Sequence, residues 1–183
     1  ATTKFTLGAN LDSSSSATAT FNSPVSIYNS VGTQVIASIK FDKVDGANSW
    51  KYSITTSEGT LTSGASGTVS FDNSGNLTSP VTDPSIVIDY SASASPALTQ
   101  TLSWNLVNSS GTTNGKLTGF AAASNNNSLV QDGFSTGTLV GLTTDSAGII
   151  SGLFNNGQTD QLFQVTLGDF LAPTGLQLSL IHI

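Results

Sequence analysis

The chain has 183 residues and a formal net charge of −6, with five lysines, no arginine and no cysteine. Binding to nucleic acids or to an anionic membrane needs a basic face, and five scattered lysines do not form one. The absence of cysteine excludes disulfides and thiolate chemistry, and no apolar run approaches the ~20 residues of a membrane-spanning helix.

Serine, threonine, asparagine and glycine dominate the chain, whereas only 9% of the residues are charged and Glu58 is the one glutamate. Lysine and glutamate are the usual residues of a helix surface, so their scarcity argues against helices. Strands joined by short polar turns fit this composition, and the length allows one domain or two small ones. The sequence therefore predicts an all-β protein.

Residues 4–11 alternate between apolar and polar side chains, which predicts a strand with one buried face. The apolar positions are Phe5, Leu7, Ala9 and Leu11. The run DSSSS at 12–16 ends the alternation. It is predicted to be a flexible connector at which the chain crosses between domains.

Residues 21–107 predict two successive hairpins followed by shorter strands. Strands are expected at 21–28, 34–44, 50–54, 68–71, 86–90 and 98–107, with turns at 29–32, 45–48, 72–75 and 114–115. Residues 64–67 (GASG) are predicted to be a flexible loop. The small, polar stretch at 119–128 is interpreted as the return crossing into the first domain.

Residues 132–176 predict an antiparallel meander of three strands, at 139–144, 149–154 and 162–167. Asp145 and Gly148 bracket the first turn, because aspartate accepts backbone N–H bonds and glycine adopts a positive φ. The Asn-Asn-Gly at 155–157 is the strongest hairpin signal in the chain,. DNSG at 72–75 matches DSAG at 145–148, so we expect the same turn chemistry twice.

The residue patterns predict no catalytic, cofactor-binding or metal site. The one histidine, His182, lies next to the C-terminus, and Cys/His metal sites are excluded by composition,. Most carboxylates fall in predicted turns. Asp42 and Asp89 fall within strands, and we interpret them as solvent-facing residues rather than as a glycosidase pair.

Aromatic side chains at alternating strand positions have two interpretations. Trp50, Tyr52 and Trp104 could stack on sugar rings, as in a carbohydrate-binding or adhesin-like β module. Such positions more often belong to a core. An exposed aromatic platform would favour the binding module, and burial of both tryptophans would count against it.

Several segments resemble motifs of the bacterial flagellar hook protein family, in the order in which that family has them. They read IYNSVG (27–32), FDNSGNL (71–77), DGFSTGTL (132–139), NGQTDQL (156–162) and APTGL (172–176). The resemblance spans essentially residues 5–176. The long terminal helical segments of the family are missing, so the chain resembles a central fragment, and residues 178–183 depart from the family pattern.

The resemblance implies two β domains. An outer antiparallel β-barrel or sandwich-like domain, residues 21–128, would be inserted into a discontinuous inner β domain made of residues 1–20 and 129–176. Residues 177–183 would be a disordered or non-native tail. The crossings predicted at 12–16 and 119–128 agree with this division, and the strand at 4–11 would complete the inner domain with the meander.

The resemblance also implies a structural, non-enzymatic subunit without cofactors. Such subunits self-assemble into the flexible extracellular hook, which transmits torque from motor and rod to the filament. Implied partners are other copies of the subunit, the rod and hook–filament junction proteins and the hook cap, whereas the fragment alone is expected to be monomeric. The distal rod protein is a related alternative, and an inserted domain of this size favours the hook.

Overall fold

The computed structural model describes residues 1–93, 97–108 and 110–166. These residues form strands, isolated bridges and turns but no helix, so the predicted all-β fold is confirmed. Within them the strands are β1 Lys4–Asn10, β2 Thr20–Tyr28, β3 Gln34–Lys43, β4 Ser49–Thr56, β5 Thr60–Ser63, β6 Ser66–Phe71, β7 Leu77–Ser79, β8 Ser85–Asp89, β9 Gln100–Trp104, β10 Leu117–Thr118, β11 Asn125–Gln131, β12 Leu139–Thr144, β13 Ile149–Phe154 and β14 Thr159–Gln164.

The chain divides into two compact units, Ala1–Thr136 and Gly137–Ile183. The first unit, called the sandwich below, contains two sheets. One sheet has the order β10-β1-β9-β8-β5, with β11 paired to β1, and the other has the order β2-β3-β4-β6-β7. The three strands β12-β13-β14 of the second unit are called the C-terminal sheet.

The inner faces of the two sheets share one apolar core in the sandwich. Trp104 of the first sheet lies at its centre and is fully buried. Its ring is 6.0 Å from that of Phe5 and meets the rings of Phe41 and Tyr52, on the opposite sheet, edge-on at 6.1 and 5.2 Å. Such edge-on contacts between aromatic rings stabilise the packing beyond the area that they bury.

The predicted alternation of buried and exposed positions is confirmed along most strands of the sandwich. All four apolar residues predicted on one face of the first strand are buried. The apolar residues predicted on one face of the hairpin strands are buried as well: Val25, Ile27, Val35, Ala37, Ile39, Phe41, Trp50, Tyr52 and Ile54. The meander β2-β3-β4 has the predicted neighbours and antiparallel pairing. Period-two patterns therefore identified the core-facing side chains of this unit.

The placement of β1 corrects the predicted domain division. β1 was expected to join the strands of residues 132–176, but it pairs with β9, β10 and β11 inside the sandwich. The connector at 12–16 accordingly joins two sheets of one unit, and the observed boundary lies between Thr136 and Gly137. The predicted tail, residues 177–183, lies outside the described residues.

Two predicted loops are partly strands. Ser66 and Gly67 pair with Ser53 and Tyr52 as the start of β6, so the segment 64–67 is not a free loop. The predicted return crossing at 119–128 contains the first half of β11. Together, the residues of β11 pair with residues 5–10 of β1. The third strand of the meander also begins earlier than predicted, at Thr159.

Among the described residues, one turn design occurs three times, with Asn29, Asp72 or Asp145 as its first residue. In each turn the first side chain accepts bonds from the backbone N–H groups two and four residues later, at 2.8–3.1 Å. A glycine with positive φ occupies the fourth position each time. The prediction that residues 72–75 and 145–148 share one turn chemistry is confirmed, and residues 29–32 add a third example.

The C-terminal sheet forms the predicted meander, with β13 between β12 and β14. Its packing differs from that of the sandwich, because Gly152 is its one buried residue between 137 and 166. A Cβ atom on Gly152 would lie 2.8 Å from a methyl group of both Leu139 and Leu162, so these leucines cover it. Large apolar side chains are exposed on this sheet at Leu139, Val140, Leu142, Leu153, Phe163 and Val165.

Candidate functional site

The ends of four strands in the sandwich meet at one place, which we call the chain junction. It consists of residues 2–4 at the start of β1, Tyr28 at the end of β2, Gln100 at the start of β9 and residues 131–133 at the end of β11. The first residues of the sandwich therefore lie beside the residues that lead out of it.

Asp132 fastens the two chain segments to each other. Its Oδ1 accepts hydrogen bonds from the backbone N–H groups of Thr3 and Lys4 at 2.7 and 3.0 Å. The hydroxyl of Thr3 donates to the second carboxylate oxygen. Burial alone would raise the pKa of Asp132, but the bonds from Thr3 and Lys4 outweigh it, and the pKa lies below its ordinary value. The carboxylate is thus held in the charged form that these donors favour.

In a second set of bonds, the side chain of Gln131 links Thr2 to Gly133. The Oε1 atom of Gln131 accepts from the Thr2 hydroxyl at 2.9 Å and from the backbone N–H of Gly133 at 2.6 Å. A Cβ atom on Gly133 would lie only 2.1 Å from the Thr2 hydroxyl oxygen. Glycine is therefore required here by the close approach of the two segments.

Gln100 closes the chain junction from inside the sandwich, where it is buried. Its Nε2 donates to the carbonyl oxygens of Thr2 and Tyr28 at 2.7 and 2.9 Å, and its Oε1 accepts from the Tyr90 hydroxyl at 3.0 Å. Burial, with a smaller contribution from the Glu58 carboxylate, raises the pKa of Tyr90 to about 12, so its hydroxyl remains a donor. The three hydrogen bonds of the buried Gln100 amide hold the ends of the strands in one arrangement,.

The polar groups of the chain junction hold neighbouring chain segments together. They are carbonyl, amide, hydroxyl and carboxylate groups that are bonded to each other. Among the described ranges 1–93, 97–108 and 110–166, no group of three or more His, Cys, Asp or Glu residues could hold a metal ion. The same ranges contain no helix long and apolar enough to cross a membrane.

The aromatic residues considered for sugar stacking are in the core. Trp50 is 1% exposed, Trp104 is 0% exposed and Tyr52 is 6% exposed. A sugar ring cannot reach them without opening the sandwich. The carbohydrate-binding interpretation of these three residues is therefore wrong.

The in-strand carboxylates are where the sequence predicted them. Asp42 forms a surface ion pair with Lys40 at 2.8 Å. Asp89 accepts a hydrogen bond from the backbone N–H of Ser91 at 2.9 Å. His182 lies outside the described residues.

Sequence reasoning did not find the chain junction. Thr2 and Gln100 carry no motif, and Gln131 and Asp132 are distant from residues 2–4 along the chain. One signal was present, because Asp132-Gly133 opens a segment that resembles a motif of the flagellar hook protein family. The close approach of Gly133 to Thr2 supplies a physical reason for that glycine.

The sandwich is also the part of the chain that matches a known family. The profile of the "Flagellar basal body protein FlaE D2 domain" family covers residues 1–134, which is more than half of the chain. The chain belongs to the FlaE D2 domain family. The family match ends two residues before the observed boundary of the sandwich, so the D2 domain and the sandwich coincide.

Two curated relatives extend the likeness beyond the D2 domain. The flagellar hook protein FlgE of Treponema pallidum (strain Nichols) is 28% identical over 188 residues, which covers 86% of this chain and 40% of that protein. FlgE of Helicobacter pylori (strain ATCC 700392 / 26695) is 30% identical over 179 residues, which covers 93% of this chain and 24% of that protein. The chain thus spans less than half the length of these relatives.

A solved structure shows the same fold. The crystal structure of Helicobacter pylori flagellar hook protein FlgE2 superposes with a TM-score of 0.53 at 16% identity, covering 86% of this chain and 34% of that one. At this identity the likeness concerns the fold alone. It agrees with an all-β chain.

Proposed function

We propose that the chain is the central part of a flagellar hook subunit, a structural protein that assembles with copies of itself and catalyses no reaction. The observation that carries the proposal is the match of the whole sandwich to the FlaE D2 domain family. Both curated relatives described above are hook proteins. We propose that the subunit lies in the extracellular hook and reaches it by export through the flagellar secretion apparatus.

The chain junction suits a part that transmits force. Force that pulls the start of β1 and the end of β11 apart would open their antiparallel pairing from that end, one hydrogen bond at a time. Here Asp132, Gln131 and Gln100 bond the two ends to each other and to the strand ends beneath them. The sandwich can then move as one rigid block.

The polar surface suits contacts that exchange while the hook bends. The chain is rich in serine, threonine and asparagine and only 9% charged, so its contacts with other copies would be many and individually weak. Lysine substitutions on the outer face of the sandwich should change the shape or the bending of the hook. Hooks of unchanged shape and stiffness would contradict this part of the proposal.

The remaining partners follow from the position of a hook in the flagellum. They are the rod proteins, the hook–filament junction proteins and the hook cap. The discontinuous inner domain predicted from the sequence also remains a proposal. In the form we now propose, the C-terminal sheet belongs to this inner domain, whereas β1 belongs to the D2 domain. Other parts of the longer protein would cover the exposed apolar side chains of the C-terminal sheet.

Electron microscopy of cells lacking the full-length gene tests the proposal. We expect motor and rod without a hook, and restoration of hooks by the unsubstituted gene. Hooks of normal number in the deletion strain would overturn it. The isolated chain of 183 residues is expected to be monomeric by light scattering, and a stable tube formed by it alone would contradict the expected need for further segments.

A further inference from the structure

β11 is the most exposed strand of the sandwich. All its side chains except that of Gln131 are exposed, including Leu129 and Val130. It pairs with β1 on one side, and among the described residues no strand pairs with its other side. At its end β11 approaches β2, because Gln131 and Tyr28 both bond to the hydroxyl of Thr2 at the chain junction. The open part of the edge is therefore 125–129.

The hydrogen bonds of β1 show which groups of β11 point outward. The N–H of Ala9 donates to the carbonyl of Lys116 on the far side of β1, so Ala9 faces away from β11. Ala9 and Asn126 are therefore a non-hydrogen-bonded pair, and the N–H and C=O of Asn126 face outward,. The same alternation turns the backbone groups of Leu129 outward, through its pairing with Leu7.

Other outer edges of the sandwich carry features that discourage strand addition. β2 contains Pro24, β7 has three residues and is followed by Pro80, and β5 has four residues and an irregular register. β11 has seven residues, no proline and no charge, although its pairing with β1 shifts register between Gly8 and Ala9. An unguarded edge of this kind is a template for another strand.

We infer that the outer edge of β11 binds an extended strand of a second copy of the subunit in the assembled hook. This inference rests on the proposed function. A row of backbone N–H and C=O groups is satisfied in full by a strand, and a surface without charge neither repels an acidic copy nor selects a basic partner. The strand that binds is not β11 of the neighbouring copy. Two β11 edges paired with each other would close a symmetric dimer, whereas a hook needs head-to-tail contacts that continue from copy to copy.

The pairing is weak by itself, so it is compatible with the monomeric state that we expect for the isolated chain. A few backbone hydrogen bonds do not offset the entropy lost when two free molecules associate. Once other parts of the subunit hold neighbouring copies together, the effective concentration of the strand is high and the edge is occupied.

Hydrogen exchange with residue resolution tests the inference without any substitution. The amides of Asn126 and Leu129 should exchange at least about tenfold more slowly in assembled hooks than in the free chain. The amides of Ser128 and Val130 face β1 and serve as internal controls, already slow in the free chain. Equal exchange of Asn126 and Leu129 in both states would overturn the inference.

A matched pair of variants in the full-length gene distinguishes the contribution of the backbone N–H of Asn126 from that of its side chain. Asn126→Pro removes an outward N–H that β1 does not use, whereas Asn126→Ala keeps it. We expect Asn126→Ala to restore hooks to the deletion strain and Asn126→Pro to reduce the number of hooked cells at least about tenfold.

Normal hooks with Asn126→Pro would overturn the inference and leave the proposed function intact. Failure of the unsubstituted gene to restore hooks would instead count against the proposed function. The melting temperature of the Asn126→Pro chain shows whether the sandwich still folds. If it does not, the exchange rates of the unsubstituted protein decide.

Discussion

The sandwich and the C-terminal sheet use the same strand and turn chemistry but bury very different amounts of apolar surface. The side chains of Asp72 and Asp145 accept the same two backbone N–H bonds in their turns, from the residues two and four positions later. Yet Trp104 is 0% exposed in the sandwich, and Phe163 is 71% exposed in the C-terminal sheet. Local sequence therefore determines the turns in both regions. A buried core forms only in the sandwich, where a second sheet covers the first.

This difference assigns separate tasks to the two regions. The sandwich has its own core and a chain junction that fastens its ends, so it is complete as a rigid block. The C-terminal sheet presents exposed apolar side chains on three strands, and a sheet with an apolar face must bury that face against another element to form a core. In a longer protein this sheet would gain its stability from other segments.

Separating the two regions should have the largest effect. A chain of residues 1–136 is expected to unfold cooperatively at nearly the temperature of the full chain, because the core lies within it. Residues 137–183 alone should show no cooperative transition by circular dichroism. A cooperative melt of the isolated C-terminal sheet would contradict the comparison.

Removing the central aromatic ring should come next. Trp104→Ala leaves a cavity among Phe5, Phe41 and Tyr52 and should lower the free energy of unfolding by about 3–5 kcal/mol,. Phe163→Ala is the matched control, because its ring is exposed and its loss should change that free energy by less than about 0.5 kcal/mol. Urea titration followed by circular dichroism, which reports on the strands of both regions, measures both.

Similar losses for the two variants would mean that the ring of Phe163 is buried in solution. That result would remove the contrast between the regions. A small loss for Trp104→Ala would instead show that the sandwich refills the space.

The sequence predicted the buried faces well because burial leaves a period-two signal. The alternation of Phe5, Leu7 and Ala9 identified the inward face of β1 correctly. It could not identify the neighbours of β1, since the pattern shows which side chains are covered and not which strand lies alongside. The family resemblance placed β1 with residues 132–176, and the pairing with β11 corrects this.

The missed elements share a lack of apolar alternation. β11 begins Asn125-Asn126-Asn127-Ser128 and has exposed side chains on both faces, so nothing in its pattern predicts a strand. Its pairing depends on the backbone of β1 rather than on side-chain burial. The chain junction was missed for a related reason, because Thr2 and Gln131 meet only once the strands are in place.

Breaking the Asp132 fastening should have an intermediate effect. Asp132→Ala removes the acceptor for Thr3 and Lys4, and we expect a loss of about 2 kcal/mol in the free energy of unfolding at pH 7, moderated by solvent exposure,. The pKa of Asp132 is depressed in the folded state. Its contribution is therefore present above the unfolded value of about 3.9 and is lost as the pH falls through the folded value.

The comparison of Asp132→Ala with the unsubstituted chain at pH 7 and near pH 3 measures this contribution. The difference between the two proteins should shrink at the acidic pH. Asp132→Asn keeps the side-chain carbonyl acceptor without the charge and should lie between them at pH 7. A difference independent of pH would show that the charge of Asp132 contributes nothing.

The smallest effect is expected for one glycine in each region. Gly46 in the sandwich and Gly157 in the C-terminal sheet both have positive φ, 68° and 80°, with no atom within 4 Å of an added Cβ. Alanine at either site should therefore cost only the backbone strain, about 1 kcal/mol. Both tryptophans lie in the sandwich, so Gly46→Ala should lower the melting temperature seen by their fluorescence by about 4 °C,. Gly157→Ala should leave that transition unchanged, and equal shifts for both would mean that the two regions unfold as one cooperative unit.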